Sequence, residues 1–452
     1  MKSKGSTTEG LHKEVIRVAR DLIRFDTSNA PERLLGRRPG NETDAAAYLH
    51  DHLSAAGVEC ELVAREDHRA NLVARLPGTG ESPSLAFVGH TDVVPADPRD
   101  WTHPPFEGVV DDDGYLHGRG AVDMKNEVAA RAVAMAELAR SGFRPQGDLW
   151  LLAVADEEDG MADVGMRWLL DERPDIRPDL AVNEGGSQRL LLVDGRTVVT
   201  VGVGEKGTYP ARVTAVGEAG HGSTPSAGRN AVPMLGELLR RVGLGMPEPQ
   251  PSPLLHRTLE ILLGGPPGDL DQAVHRAAAL HPALEHLLPA LTGITMAPTI
   301  LEGSNKRNVM PARASMELDC RILPGTTEGA VEAAVRARLG TDLPYELSWP
   351  EVLVAGSDSS PDSRLMAAIE AFWVGQGEDV TVLPILDTGF TDSVFLRAAA
   401  GTTAYGFNPC VHTPAEVYAS GPHNADERLH VDDLLLSVQF HVDLARRLLS
   451  PP

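Results

Sequence analysis

Three short apolar runs, Ser84–Gly89, Asp148–Ala155 and Leu180–Val182, each lead straight into a cluster of ionisable residues, and this coupling constrains the architecture more than any other feature of the chain. The clusters are Gly89-His90-Thr91-Asp92, Asp156-Glu157-Glu158-Asp159-Gly160 and Asn183-Glu184-Gly185-Gly186. Apolar runs this short and this continuous read as strands buried on both faces. Helical spacing surrounds them: Leu11, Val15, Val18 and Leu22 define an amphipathic helix over Glu9–Phe25, and Thr43–Ala56 and Asn126–Ser141 read likewise. With a further apolar run at Asn71–Leu76, strands alternating with helices predict an α/β layer around a mixed, mostly parallel sheet. In such sheets ligands gather where strands end, which gives weight to the polar residues after each run.

The pattern changes after Val198. Alternating β-branched residues run to Val216, a helix is expected over Asn230–Val242, and Pro247–Gly268 is rich in Pro and Gly. Asp269–Leu291 reads as helical, and a strand at Ala314–Ile322, a helix at Thr327–Leu339 and a strand near Tyr345 follow. This predicts a discontinuous catalytic domain over 1–200 and 352–452, with an α+β lid or dimerisation domain over 201–351. The 452 residues are too many for one ordinary core, which agrees with two domains.

A formal charge of −23 argues against a nucleic-acid partner, since phosphate binding needs a basic face. No stretch holds the ~18 consecutive apolar residues of a membrane span. Met1–Gly10 is polar and lacks the h-region of a signal peptide. Cys60, Cys320 and Cys410 have no CxxC spacing and suit neither a disulfide framework nor a thiolate zinc site, so a reducing, cytoplasmic location is expected.

Taken singly, each polar cluster has a bland reading. His90 and Asp92 form an HxD pair, in which a carboxylate two residues on could hold the imidazole tautomer. Asp123, in Gly118-Arg119-Gly120-Ala121-Val122-Asp123-Met124-Lys125, could equally be a helix N-cap. Carboxylates crowded at 156–159 repel one another unless cations compensate, although a solvated acidic loop is the alternative. His423 sits in the turn-rich Gly421-Pro422-His423-Asn424-Ala425-Asp426-Glu427-Arg428. Together these residues are the inventory of a binuclear zinc site.

In that order and context, the sequence resembles the M20 family of metallopeptidases and amidohydrolases. The resemblance rests on GHTDVVP at 89–95, GRGAVDMK at 118–125, DEEDG at 156–160, NEGG at 183–186, GHGSTP at 220–225 and PHNADERL at 422–429. It implies a zinc-exopeptidase-like catalytic domain in which Asp123 bridges two metals. His90 and Glu184 complete one metal's ligands, and Glu158 and His423 the other's. It further implies that Glu157 is the general base, that Asp92 orients His90, and that the Asp123–Met124 peptide is cis.

In the inserted domain, the resemblance makes His221 a donor to the tetrahedral oxyanion, often in the partner subunit's site, and makes Asn308 and Arg321 substrate-holding residues. For Arg321, an ion pair with Asp319 or Glu317 is the competing reading. Cys410 and His412 lack a third partner for nucleophilic or metal chemistry and are assigned to structure around the site. The segment 386–393 reads as a hydrogen-bonding wall on the substrate side. The expectation is a homodimeric hydrolase with two Zn²⁺ per subunit, replaceable by Co²⁺ or Mn²⁺. It cleaves an amide next to a free carboxylate in N-acyl amino acids or short peptides, with a biosynthetic desuccinylase or deacetylase as the alternative. A non-hydrolytic binding protein is disfavoured because every matched position is intact.

Overall fold

The computed structural model describes residues 6–160, 162–243, 247 and 249–451. The N-terminal residues 1–5, part of the polar stretch read above, and residue 248 of the Pro/Gly-rich segment lie outside them. The chain divides into two compact units, one of residues 1–203, 359–385 and 391–452, the other of residues 204–358 and 386–390.

The first unit is built on a mixed sheet. Leu85–His90 pairs in parallel with both Leu149–Val154 and Leu180–Asn183, and Leu180–Asn183 pairs in parallel with Thr403–Gly406. Ala70–Leu76 joins antiparallel to Leu149–Val154, with Glu59–Ala64 antiparallel outside it. The central strands are buried along their whole length, as continuous apolar runs require. Helices Thr8–Ile23, Lys125–Arg140 and Val431–Leu449 cover the sheet. Fourteen residues of Lys125–Arg140 are buried, which explains why its small alanines recur where an amphipathic helix would carry polar groups.

The second unit has an antiparallel sheet in which Arg313–Ile322 pairs with Thr295–Glu302, Gly207–Thr208 and Ala211–Val216, and Tyr345–Ser348 adds to the last. Ala211–Val216 alternates buried and half-buried residues, the mark of a sheet covered on one face. Helices Ala231–Gly243 and Glu328–Leu339 supply Leu238, Val242, Val331, Val335 and Leu339 to the core beneath it.

The prolines and glycines of this region mark helix boundaries, which corrects the single helix expected over Asp269–Leu291. Pro247–Gly268 contains a helix, Pro253–Leu263, in which Pro253 and Gly264 are punctuation: Pro starts the first turn, Ser252 Oγ accepts the Leu255 N–H at 3.1 Å, and Gly264 ends the helix at φ 70°. Asp269–Leu291 is two helices, Leu270–Ala278 and Pro282–Leu291, because Pro282 cannot continue the first and His281 caps the second. Among the strands not expected from the sequence, Glu59–Ala64 is too exposed to form an apolar run, and Thr295–Glu302 is broken by an irregularity at Pro298. Among the described residues no helix is long and apolar enough to cross a membrane.

Candidate metal centre

His90 is the last residue of its strand, and its two parallel neighbours end beside it, at Val154 and Asn183. Adjacent parallel strands therefore bring Glu157 and Glu184 next to one imidazole, and the loop before the helix Lys125–Arg140 adds Asp123. His90 Nε2 lies 3.1 Å from Asp123 Oδ1, 3.6 Å from Glu184 Oε2 and 3.9 Å from Glu157 Oε2. The other oxygen of Asp123, Oδ2, lies 3.3 Å from His423 Nε2, which is in turn 3.0 Å from Glu158 Oε2. Asp123 thus spans the two imidazoles, with Glu184 on one side and Glu158 on the other. The helix after it starts from Met124 with no side-chain cap, so the N-cap alternative for Asp123 does not apply. The Asp123–Met124 peptide is cis.

Hydrogen bonds settle which ring nitrogen of His90 is free. Nδ1 is 2.9 Å from the backbone carbonyl of Asp92, which can only accept, so Nδ1 carries the proton and Nε2 presents its lone pair to the centre. Asp92 acts on the ring mainly through this carbonyl; its carboxylate, 3.5 Å from Nδ1, has other work. It accepts the N–H of Glu157 at 3.2 Å, the N–H of Glu158 at 3.1 Å and Asn29 Nδ2 at 2.9 Å. One buried carboxylate therefore fixes the backbone from which both glutamates project. Asp156 and His423 flank the site in the left-handed region, at φ 63° and 62°, conformations that non-glycine residues adopt only where their surroundings enforce them.

The donor set fits divalent cations. Two groups, His90/Asp123/Glu158 and His90/Glu157/Glu184, each bring three ligand atoms within 4.8 Å of one another. Glu158 Oε1 and Glu184 Oε1 are shut off from solvent with no hydrogen-bond partner. Four carboxylates and two neutral imidazoles carry −4, which two divalent cations balance. Protons meet the same demand in part. Hydrogen bonds to Asp123 and then Glu158 push His423 up to about 10. Burial, reinforced by Asp123, pushes Glu158 up to about 7, and burial with the Glu184 charge holds Glu157 well above the usual carboxylate range.

Several supporting residues were not singled out by the sequence. Glu427, inside the PHNADERL motif, accepts from Arg119 Nη1 at 2.6 Å and from the backbone N–H groups of Gly120, Val122 and Asp123 at 3.2, 2.6 and 2.9 Å. It pins the loop that carries Asp123. Arg131 reaches the Val88 and Asn183 carbonyls, near the ends of the strands that lead to His90 and Glu184, and pairs with Glu127 at 2.6 Å. Asn29 also donates to Asp156 at 3.0 Å, with Arg69 and Glu42 paired behind it at 2.5 Å. Only an acidic residue four beyond His423 hinted at any of this; the partners are as many as 308 residues apart.

His221, Asn308 and Arg321 belong to the second unit. His221, exposed, lies in a short strand paired with Val309–Met310, and its Nδ1 accepts the Ser223 N–H at 3.2 Å, so a neutral ring carries its proton on Nε2. The Asn308 carbonyl accepts the Gly222 N–H at 2.8 Å, which ties the two segments. Arg321 Nε donates to Asp319 Oδ1 at 2.8 Å, the ion pair that was the competing reading. Of the 386–393 segment, Asp392 is buried in the first unit; burial holds its carboxyl well above the usual range. Cys410 is buried against Asp433, whereas His412 is exposed.

Residues 86–447 match the family model described as peptidase family M20/M25/M40. The chain is 29% identical to aminoacylase-1 of Sus scrofa over 468 aligned positions, covering 100% of this chain and 98% of that protein. It is also 29% identical to a probable succinyl-diaminopimelate desuccinylase of Staphylococcus epidermidis, covering 97% and 98%. The fold is similar to that of an M20 family metallo-carboxypeptidase from Sulfolobus solfataricus, with a TM-score of 0.71, 18% identity and coverage of 96% and 99%.

Proposed function

Since the chain belongs to peptidase family M20 and is a hydrolytic enzyme, we propose that it cleaves an amide bond beside a free carboxylate, in N-acyl amino acids or short peptides. The observation that carries this reading is Asp123 spanning His90 and His423 at 3.1 and 3.3 Å with Glu157 beside them. His90, Asp123 and Glu184 would hold one cation, and Asp123, Glu158 and His423 the other; Zn²⁺ suits imidazole and carboxylate donors, with Co²⁺ or Mn²⁺ as substitutes. Two such cations supply a water of lowered pKa and polarise the scissile carbonyl.

Glu157 is the proton carrier. It takes a proton from the attacking water, and the burial that raises its affinity for that proton suits it to hand the proton on to the departing amine. Its neighbour Glu158 points elsewhere, to His423, so one backbone segment serves both roles, held by Asp92. His221, with its proton on Nε2, is the donor to the oxyanion, and Asn308 and Arg321 hold the substrate. The unit of residues 204–358 is the lid or dimerisation domain of a homodimer, and the enzyme works in the cytoplasm. Against a net charge of −23, an anionic substrate depends on local positive potential from the cations and Arg321.

Similarity to a desuccinylase favours a second reading, a succinyl amide of amino-acid biosynthesis. A substrate panel separates the two: the zinc-loaded enzyme is offered N-acetyl amino acids, dipeptides and N-succinyl-diaminopimelate. Turnover of the first two groups supports the reading, preferential turnover of the last transfers it to the alternative, and no turnover of any, with Glu157→Ala binding them as well as wild type, overturns hydrolysis.

A further inference from the structure

We propose that His412, His430 and Asp432, with His12 behind them, form a further and exchangeable site for a borderline divalent cation such as Zn²⁺ or Cu²⁺ in the first unit. One ligand atom from each of His412, His430 and Asp432 lies within 4.8 Å of the others. None of the three belongs to the His90–His423 centre. The donors come from separate segments: His412 from the loop after Phe407, His430 from the end of the strand Arg428–His430, and Asp432 from the first turn of the helix Val431–Leu449.

The geometry is prepared by the backbone. Buried Asp433 accepts the N–H groups of Val411, His412 and Thr413 at 2.8, 2.9 and 2.7 Å and the Thr413 hydroxyl at 2.7 Å. Thr413 Oγ1 in turn accepts the His430 N–H at 2.9 Å. The main chains that carry the donors are thereby locked together, and the imidazoles of His412 and His430 stack with centroids 5.6 Å apart. Exposed His412 need only rotate about its side-chain bonds to close a site.

A second observation points to a ligand. His12 Nε2 is shut off from solvent and makes no hydrogen bond, although it sits 3.3 Å from Asp432 Oδ1. Asp432 therefore lies between two imidazoles, with Oδ1 toward His12 and Oδ2 3.7 Å from His430 Nδ1, and a cation drawing on Asp432 would let the idle His12 nitrogen serve as an outer partner to its carboxylate. The nitrogen of His430 otherwise only caps its helix, at 3.3 Å from the Asp432 N–H, a long contact that a cation can displace. Two imidazoles and a carboxylate select borderline transition ions over Mg²⁺ or Ca²⁺. Because His412 is exposed, such an ion exchanges with solvent more readily than ions held by buried His90.

The test uses the full chain, equilibrated with Zn²⁺ by dialysis, and elemental analysis of wild type, His412→Asn and His430→Gln. Wild type is expected to hold one ion per chain more than either variant, while turnover stays the same. Added to the Zn²⁺-loaded enzyme, Cu²⁺ should give an EPR spectrum with hyperfine coupling from two imidazole nitrogens, reduced to one in His412→Asn. Equal ion content in wild type and His412→Asn, or an unchanged Cu²⁺ spectrum, overturns the proposal. Because the readout is a difference of one ion, it stands whatever the hydrolytic centre holds.

Discussion

Glu427 is the residue whose replacement tests most directly how the centre is held. Its side chain is fully buried and makes four hydrogen bonds, to the Arg119 guanidinium and to three N–H groups of the loop ending at Asp123. Burial pushes its carboxyl up, whereas the Arg119 charge and the Asp123 and Val122 N–H groups pull it back toward the ionised form. Glu427→Gln keeps the shape, removes the charge and points an N–H₂ at a set of donors. A hydrogen bond to a charged group is worth about 1.5–3 kcal/mol against about 0.5–1.5 for a neutral one, so losing that difference at two or three contacts costs about 3 kcal/mol. Glu427→Ala, which leaves a buried guanidinium unpaired, should cost about 3–5 kcal/mol. With a urea slope of about 3 kcal/mol/M for a chain of this size, the Gln variant should unfold about 1 M earlier than wild type when both are stripped of metal with a chelator. Since Glu427 also orients the Asp123 backbone, Zn²⁺ affinity measured by chelator competition should fall about 10–100-fold. A Glu427→Gln protein with the urea midpoint and Zn²⁺ affinity of wild type would mean that the carboxyl is protonated, and would refute the argument.

Glu157→Gln should lower kcat about 10²–10⁴-fold with metal content unchanged, as loss of a general base does, and elemental analysis beside steady-state kinetics checks both parts. Lys206 is buried and donates to the Ala290 and Gly293 carbonyls, and burial pushes its ammonium down to about 7 from 10.5. Between those values the unfolded chain binds a proton that the folded chain does not, so this group makes stability rise with pH from about 7 to about 10. Denaturation across that range should show the rise in wild type relative to Lys206→Met; parallel curves would contradict it. If His221 completes a partner's site, heterodimers of His221→Ala and Glu157→Ala chains should hold one working site of two and recover about half of the wild-type activity per dimer, whereas equal inactivity of the mixture places His221 within its own chain's site.

The strand-end clusters were legible because buried strands are written in the sequence as unbroken apolar runs, which places the His or Glu just after each run at the sheet's end. Within 247–268, Pro253 and Gly264 mark the start and the end of a helix, although the same residues break helices in the interior; composition alone does not tell these positions apart. Arg321 shows another limit, because a guanidinium two residues from Asp319 on one strand face serves an ion pair as readily as a substrate carboxylate.

By itself the sequence carried the α/β layer, because hydrophobic period is a local property, and through the resemblance of its motifs to the M20 family it offered His90, Asp123, Glu158, Glu184 and His423 as candidate donors and Glu157 as the candidate base. Only the tertiary structure decided that Asp123 faces two imidazoles instead of capping its helix, that His90 offers Nε2, that Asp92 serves the Glu157–Glu158 backbone, and that Glu427 anchors the loop that carries Asp123. The physical reason is the same throughout. Where a buried charge finds its hydrogen-bond partners depends on which distant segments the sheet brings together, and Glu427 and Arg119 are 308 residues apart along the chain.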